Sequence, residues 1–112
     1  MKILLTGLIL SIISASSYAD LVSYYGRGFH GKKTASGEVF NQNAMTAASN
    51  SHKMGTKLKV TNVANGKSVI VKINDTGAFT RKYGRTLDLS QGAFAKIAPL
   101  GQGICKVKIE RL

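Results

Sequence analysis

Cysteine is nearly absent from this chain. Among 112 residues only Cys105 carries a thiol, so no internal disulfide can form. There is no tryptophan, and no aromatic ladder stands beside the lysines, so the base-stacking platform of a single-strand binder is missing and nucleic acid is not the expected partner. His30 and His52 are the only histidines. With one cysteine and few acids they make no metal-ligand spacing, and neither a metal nor another cofactor is expected. No G-x-S-x-G elbow is present to announce a serine nucleophile. Scarcest in proportion are the acids: five against sixteen Lys and Arg, for a net charge of +11. Each carboxylate is therefore a candidate for chemistry, and the positive excess implies an anionic partner surface.

Long apolar runs are also lacking, with one exception. Ile3 to Ile13 is apolar apart from Thr6, Gly7 and Ser11; Lys2 precedes it, and Ser17 and Ala19 supply small residues at a cleavage site. This is the pattern of a secretory signal peptide over 1–19, cut after Ala19. The run is too short for the about 20 residues that a bilayer span needs, so no stable membrane anchor is expected. Removing 19 residues from 112 leaves 93, Asp20 to Leu112, enough for one small domain. Lys2 is the only charge lost, and the net charge becomes +10. Export directs the chain to the periplasm or beyond, with anionic envelope polymers as natural partners. Lys57, Lys59, Lys72, Lys106 and Lys108 alternate along their segments, and each alone reads as part of a solvated face.

What is there reads as short strands, turns and one helix. Leu21 to Tyr25 predicts a first strand, 26–43 a long glycine-containing loop, and Ala44 to Ala48 a short strand. Lys57 to Val63 and Ser68 to Ile73 alternate with period two around Asn65-Gly66, the signal of a hairpin closed by a type I′ turn with positive φ at both central positions. After a second loop, Thr86 to Leu89 predicts a strand. Ser90 then caps a short helix that buries Ala93, Phe94 and Ile97 and stops before Pro99 and Gly101. Gly103 to Arg111 closes the chain as a strand, with Cys105 in phase with Val107 and Ile109 and so a buried, inert thiol. Many short strands without disulfides argue for a small closed all-β barrel or a sandwich; a barrel leaves no free edges.

Three carboxylates sit in tight contexts, and a basic exported domain of this kind suggests acid/base work on a carbohydrate. Asp75 ends an apolar strand just before a turn with Gly77, and Phe79 is close by; the ordinary alternative is an Asx-turn. Glu38 lies in the glycine-rich loop, where a solvated charge is the common case. Asp88 precedes the helix by two residues, and a cap or dipole role is the favoured reading.

Several segments taken together resemble a known family: Ser23-Tyr24-Tyr25-Gly26; Phe29-His30-Gly31-Lys32-Lys33-Thr34-Ala35-Ser36-Gly37-Glu38-Val39-Phe40; Asn43 to Ala48; Gly55 to Asn62; Asn65 to Val69; Val71 to Phe79; and Leu87-Asp88-Leu89-Ser90. In order and over nearly all of Asp20 to Leu112, this is similar to the RlpA-like (rare lipoprotein A) double-psi β-barrel proteins of bacterial envelopes. The resemblance implies a six-stranded double-psi β-barrel with one short helix. It also implies lytic transglycosylase activity on peptidoglycan glycan strands that lack stem peptides: the muramyl 6-hydroxyl attacks the anomeric carbon and leaves a 1,6-anhydro ring. A single carboxyl then serves first as acid and later as base. The family's catalytic aspartate falls on Asp75 and its functional glutamate on Glu38. Tyr25, His30 and Phe79, in the matched segments, are candidates for sugar contact.

The chain departs from the family where a histidine follows Thr-Ala-Ala. Here Ser49 follows Thr46-Ala47-Ala48, and His52 comes three residues later, with Lys53 in place of a proline. Three outcomes are open: His52 moves into the vacated place, Ser49 makes a weaker hydrogen bond, or catalysis is reduced or lost. The last would leave a non-catalytic polysaccharide-binding barrel of the expansin or barwin type.

Overall fold

The computed structural model describes residues 20–26, 28–77 and 86–112. The expected signal peptide and the loop carrying Phe79 lie outside the described residues. Six strands form a closed barrel: β1 Asp20–Tyr25, β2 Thr46–Ala48, β3 Lys57–Asn62, β4 Ser68–Asp75, β5 Leu87–Ser90 and β6 Ile104–Arg111. Helix α1, Gln91–Ile97, and a 3-10 turn, Leu100–Gln102, link β5 to β6.

Around the barrel the strand order is β1-β5-β2-β4-β3-β6. The pairs β1–β5 and β2–β4 are parallel, and the other four are antiparallel. The pattern of period two decides which side chains face in. Val22, Leu58, Val60, Val71, Ile73, Leu87, Leu89 and Val107 are 0 or 1% exposed and form one core with Phe94 and Ile97 of α1. A fully buried side chain of this size is stabilised by about 1.5–3 kcal/mol relative to exposure. Cys105 belongs to this core, and burial pushes its thiol pKa up.

Helix α1 begins where expected. The Ser90 side chain accepts from Ala93 N–H, and Ala93, Phe94 and Ile97 are buried. The β3–β4 hairpin is also present, but its turn is not type I′. Asn65 has negative φ, and only Gly66 is left-handed, at φ 76°. Gly66 N–H donates to Asn62 O, while Asn65 binds Lys67 N–H through Oδ1 and Ile97 O through its amide nitrogen. The Asn65 side chain thus ties the turn to the end of α1, and a longer loop with one left-handed glycine meets the strand twist. Strand β2 starts at Thr46 rather than Ala44, because Asn41 Oδ1 accepts from Asn43 N–H and Ala44 N–H closes back on Asn41 O. Strand β4 runs two residues beyond Ile73, and that extension carries Asp75.

Candidate functional site

Strict alternation along β4 would send Asp75 inward after Val69, Val71 and Ile73. A β-bulge prevents this. Ala47 pairs with Ile73, the next residue Ala48 pairs with Asp75, and Asn74 is the extra residue. Asn74 is buried directly after buried Ile73, breaking the alternation. A bulge re-aims the side chain that follows it. Asp75 therefore leaves the core face and joins Ala48 on the outer face of the barrel.

The order β1-β5-β2-β4 then places Ser23, Asp88, Ala48 and Asp75 side by side, since Ser23 pairs with Asp88, Asp88 with Ala48 and Ala48 with Asp75. Two carboxylates flank one alanine, with backbones about 10 Å apart at ordinary strand spacing. Over this row lies a cleft of about 270 Å³, lined by Tyr25, Phe29, Lys33, Ala48, Asp75 and Asp88 together with Thr76 and Gly77. The loop 28–43 forms one wall, pinned by Ser36 N–H to Asn74 O and by Ala35 N–H to the Asp75 carboxylate.

Asp75 is held at both oxygens. Oδ1 accepts from Ala35 N–H at 3.0 Å and Thr76 N–H at 2.9 Å, and Oδ2 accepts from Tyr25 Oη at 3.1 Å. The Asx-turn bond to Thr76 is thus real, and it coexists with a place in the cleft. Tyr25 is stacked on Phe40 at 4.7 Å and meets Phe29 edge-on at 5.6 Å. Burial, then the Asp75 charge, hold its phenol pKa well above the usual tyrosine range.

Glu38 stands beside the cleft rather than in its lining. It pairs with Lys72 at 2.8 Å, and hydrogen bonds from Lys72 and then Asn74 hold its carboxyl below the ordinary value. Asn74 thereby touches Glu38 on one side and precedes Asp75 on the other. Phe29 and Lys33 line the cleft, but His30 does not; its Nδ1 accepts from Gln42 N–H at 3.2 Å and helps shape the loop. Ser49 is 2% exposed, and its hydroxyl accepts from Ser51 and His52 N–H, both at 3.1 Å. Its own N–H donates to Asp75 O at 2.9 Å. The half-buried His52 belongs to that turn, and neither side chain lines the cleft.

Sequence reasoning favoured a cap or dipole role for Asp88; the helix cap is Ser90, as expected, and the Asp88 side chain is engaged elsewhere. Asp88 accepts from Ser23 Oγ at 2.6 Å and faces the cleft. The period-two pattern Leu87, Asp88, Leu89 was the available signal, because Asp88 had to lie opposite two core residues. Among the described residues no cluster of His, Cys, Asp and Glu could hold a metal ion.

Comparison with known proteins follows the same lines. Residues 17–109 match a family described as lytic transglycolase. A probable endolytic peptidoglycan transglycosylase RlpA from Nostoc is 51% identical over 98 residues, 86% of this chain and 26% of that protein. The endolytic peptidoglycan transglycosylase RlpA of Campylobacter jejuni is 45% identical over 89% of this chain and 36% of its own length, and that of Rickettsia felis 52% over 80% and 40%. The chain thus spans roughly a quarter to two fifths of these relatives. In fold it is similar to an expansin of Clavibacter michiganensis solved with cellohexaose, with a TM-score of 0.67 and 20% identity over 85% of this chain and 50% of that one. It is also similar to a Streptomyces papain inhibitor, with a TM-score of 0.63 and 26% identity over 83% and 93%.

Proposed function

The chain belongs to the lytic transglycolase family, and on that premise we propose that it cleaves the bond between N-acetylmuramic acid and N-acetylglucosamine in peptidoglycan glycan strands, preferring strands without stem peptides. The observation that carries this reading is Asp75 in the cleft, with Oδ1 filled by two backbone N–H groups and Oδ2 reached, among the described residues, by the Tyr25 hydroxyl alone. Oδ2 is the oxygen left for proton exchange. It gives a proton to the glycosidic oxygen as the bond to the anomeric carbon breaks, and the bond electrons stay with that oxygen. It then takes the proton of the muramyl 6-hydroxyl as O6 bonds to the anomeric carbon. The proton taken from O6 replaces the one given, so a single carboxyl completes the cycle and no water is consumed.

Glu38, beside the cleft, contacts or polarises the sugar, with Lys72 and Asn74 keeping it ionised. Phe29 and Tyr25 offer apolar surface to a sugar ring. The reading includes export to the periplasm or outside the cell, supported by the pattern of Met1 to Ala19; the mass of the protein recovered from cells should correspond to a start at Asp20. Exposed Lys57, Lys59, Lys106 and Lys108 on β3 and β6 suit anionic wall polymers.

The test is mass spectrometry of glycan strands stripped of stem peptides, with Asp75→Asn in parallel. Anhydromuramyl ends should form with the unaltered protein and fall by about 10²–10⁴-fold in the variant. An undiminished variant would sink the assignment of Asp75. One observation favours a second reading, a barrel that binds wall polysaccharide without cutting it: the Ser49 hydroxyl is committed to two backbone N–H groups and offers nothing to the cleft. Sedimentation with walls and no new chain ends would select that reading.

A further inference from the structure

We propose that Tyr25 is the positioning residue for Asp75: its hydroxyl selects the rotamer of the carboxyl group and controls when Oδ2 carries the proton. This rests on the transglycosylase reading and adds to it a role for Tyr25 separate from sugar contact.

Among the described residues the Asp75 carboxylate receives three hydrogen bonds, two of them backbone N–H bonds to Oδ1 that belong to the loop and the turn. The third, from Tyr25 Oη to Oδ2, is the only side-chain bond that the carboxylate receives among the described residues. It also comes from far away in the fold. Tyr25 is on β1 and Asp75 on β4, with β5 and β2 between them. The intervening position on β2 is Ala48, whose methyl group leaves the row open. Stacking on Phe40, itself 2% exposed, and the edge contact with Phe29 hold the phenol ring in place. A side chain used only as a sugar platform needs its ring face and not its hydroxyl. Here one face is already covered by Phe40, and the hydroxyl is spent on the acid.

The consequence for the proton follows from the direction of the bond. While Asp75 is a carboxylate, Tyr25 donates to Oδ2. When Oδ2 carries a proton, that bond must reverse or break, and the proton is then free to point at the glycosidic oxygen. Tyr25 therefore favours the ionised form, which is the form produced by the first step and required by the second. The raised phenol pKa keeps the donor proton on Tyr25 throughout. Among the described residues, the other charged groups in the cleft lining are Asp88 of β5 and Lys33 of the loop, with the Glu38–Lys72 pair beside it.

The experiment is Tyr25→Phe, which keeps the ring and its stacking. Two readouts are taken: the pH profile of anhydromuramyl product formation, and the pH titration of the Asp75 carboxyl carbon by ¹³C NMR, assigned with Asp75→Asn. The variant should melt at nearly the temperature of the unaltered protein. Its kcat should fall about tenfold or more with little change in KM, and the alkaline limb of its profile, which reports the carboxyl that must start protonated, and the Asp75 titration should both move up, the direction expected when a hydrogen bond to the charged form is lost. Phe40→Leu, which loosens the ring but keeps the hydroxyl, should shift both in the same direction by less. An unmoved Asp75 titration in Tyr25→Phe overturns the proposal, and so does a rise in KM alone. If the unaltered protein makes no anhydro ends, the transglycosylase reading fails on its own, and the NMR titration still decides whether Tyr25 governs the Asp75 proton.

Discussion

Glu38 and Lys72 show how one surface pair conditions the site. The Lys72 ammonium, 2.8 Å from Glu38 Oε2, stabilises the ionised carboxyl, and the Asn74 side chain adds to it. A carboxyl whose pKa is lowered in the folded protein contributes stability that is present above its ordinary value of 4.5 and lost as pH falls through the lowered value. Lys72→Met should therefore lower the melting temperature slightly at neutral pH, and the difference from the unaltered protein should close as the pH falls through the lowered Glu38 value. Both side chains are exposed, so the effect should be small and should shrink further in high salt. A gap in melting temperature that persists unchanged at low pH would mean that Lys72 acts through packing of its stem rather than through Glu38.

At the scale of elements, the bulge at Asn74 and the start of α1 do most to build the site. Without the bulge the Asp75 carboxylate would be driven into the barrel core, where an unpaired charge is very costly. Helix α1 lies against the polar loop through Gly92. Gly92 N–H donates to Gln42 O, and a Cβ added there would come within 2.7 Å of Asn43 O. Helix propensity alone says that Gly92→Ala stabilises by roughly 1 kcal/mol. The contact is with backbone and cannot be relieved by a rotamer change, so the substitution should destabilise instead, by about 1–3 kcal/mol in chemical denaturation. A stabilised Gly92→Ala would show that the 28–43 loop yields easily, and the wall it gives the cleft would then be softer than the hydrogen bonds suggest.

For the molecule as a whole, barrel closure does the work that disulfides do in many small exported domains. All six strands have neighbours on both sides, so the described fold presents no open sheet edge for association. Cys105 is 1% exposed and faces the core from β6, with burial raising its pKa. Its thiol should fail to react with an aromatic disulfide reagent in the native protein and react once in denaturant, and the protein should run without a disulfide-linked dimer. Rapid reaction under native conditions would reveal opening of β6 well below the global unfolding free energy.

The sequence by itself determined the strands, the helix and which residues make the core, because period-two alternation in Leu58–Val60 and Val69–Ile73, and the spacing of Ala93, Phe94 and Ile97, are local properties of the chain. It also pointed, through ordered motifs, to Asp75 and Glu38 and to the family. It could not say how Asp75 escapes the core. That depends on the extra residue between the Ala47–Ile73 and Ala48–Asp75 pairs, which exists only once β2 lies beside β4. Nor could it bring Tyr25 to Asp75, 50 positions away, or place Asp88 opposite Ser23, 65 positions away. It set His30, Ser49 and His52 beside the chemistry, whereas the folded loops employ all three in backbone hydrogen bonds. Local pattern decides which face a side chain prefers; closure of the barrel decides which distant side chains share a cleft, since parallel pairing joins segments that no short-range signal connects.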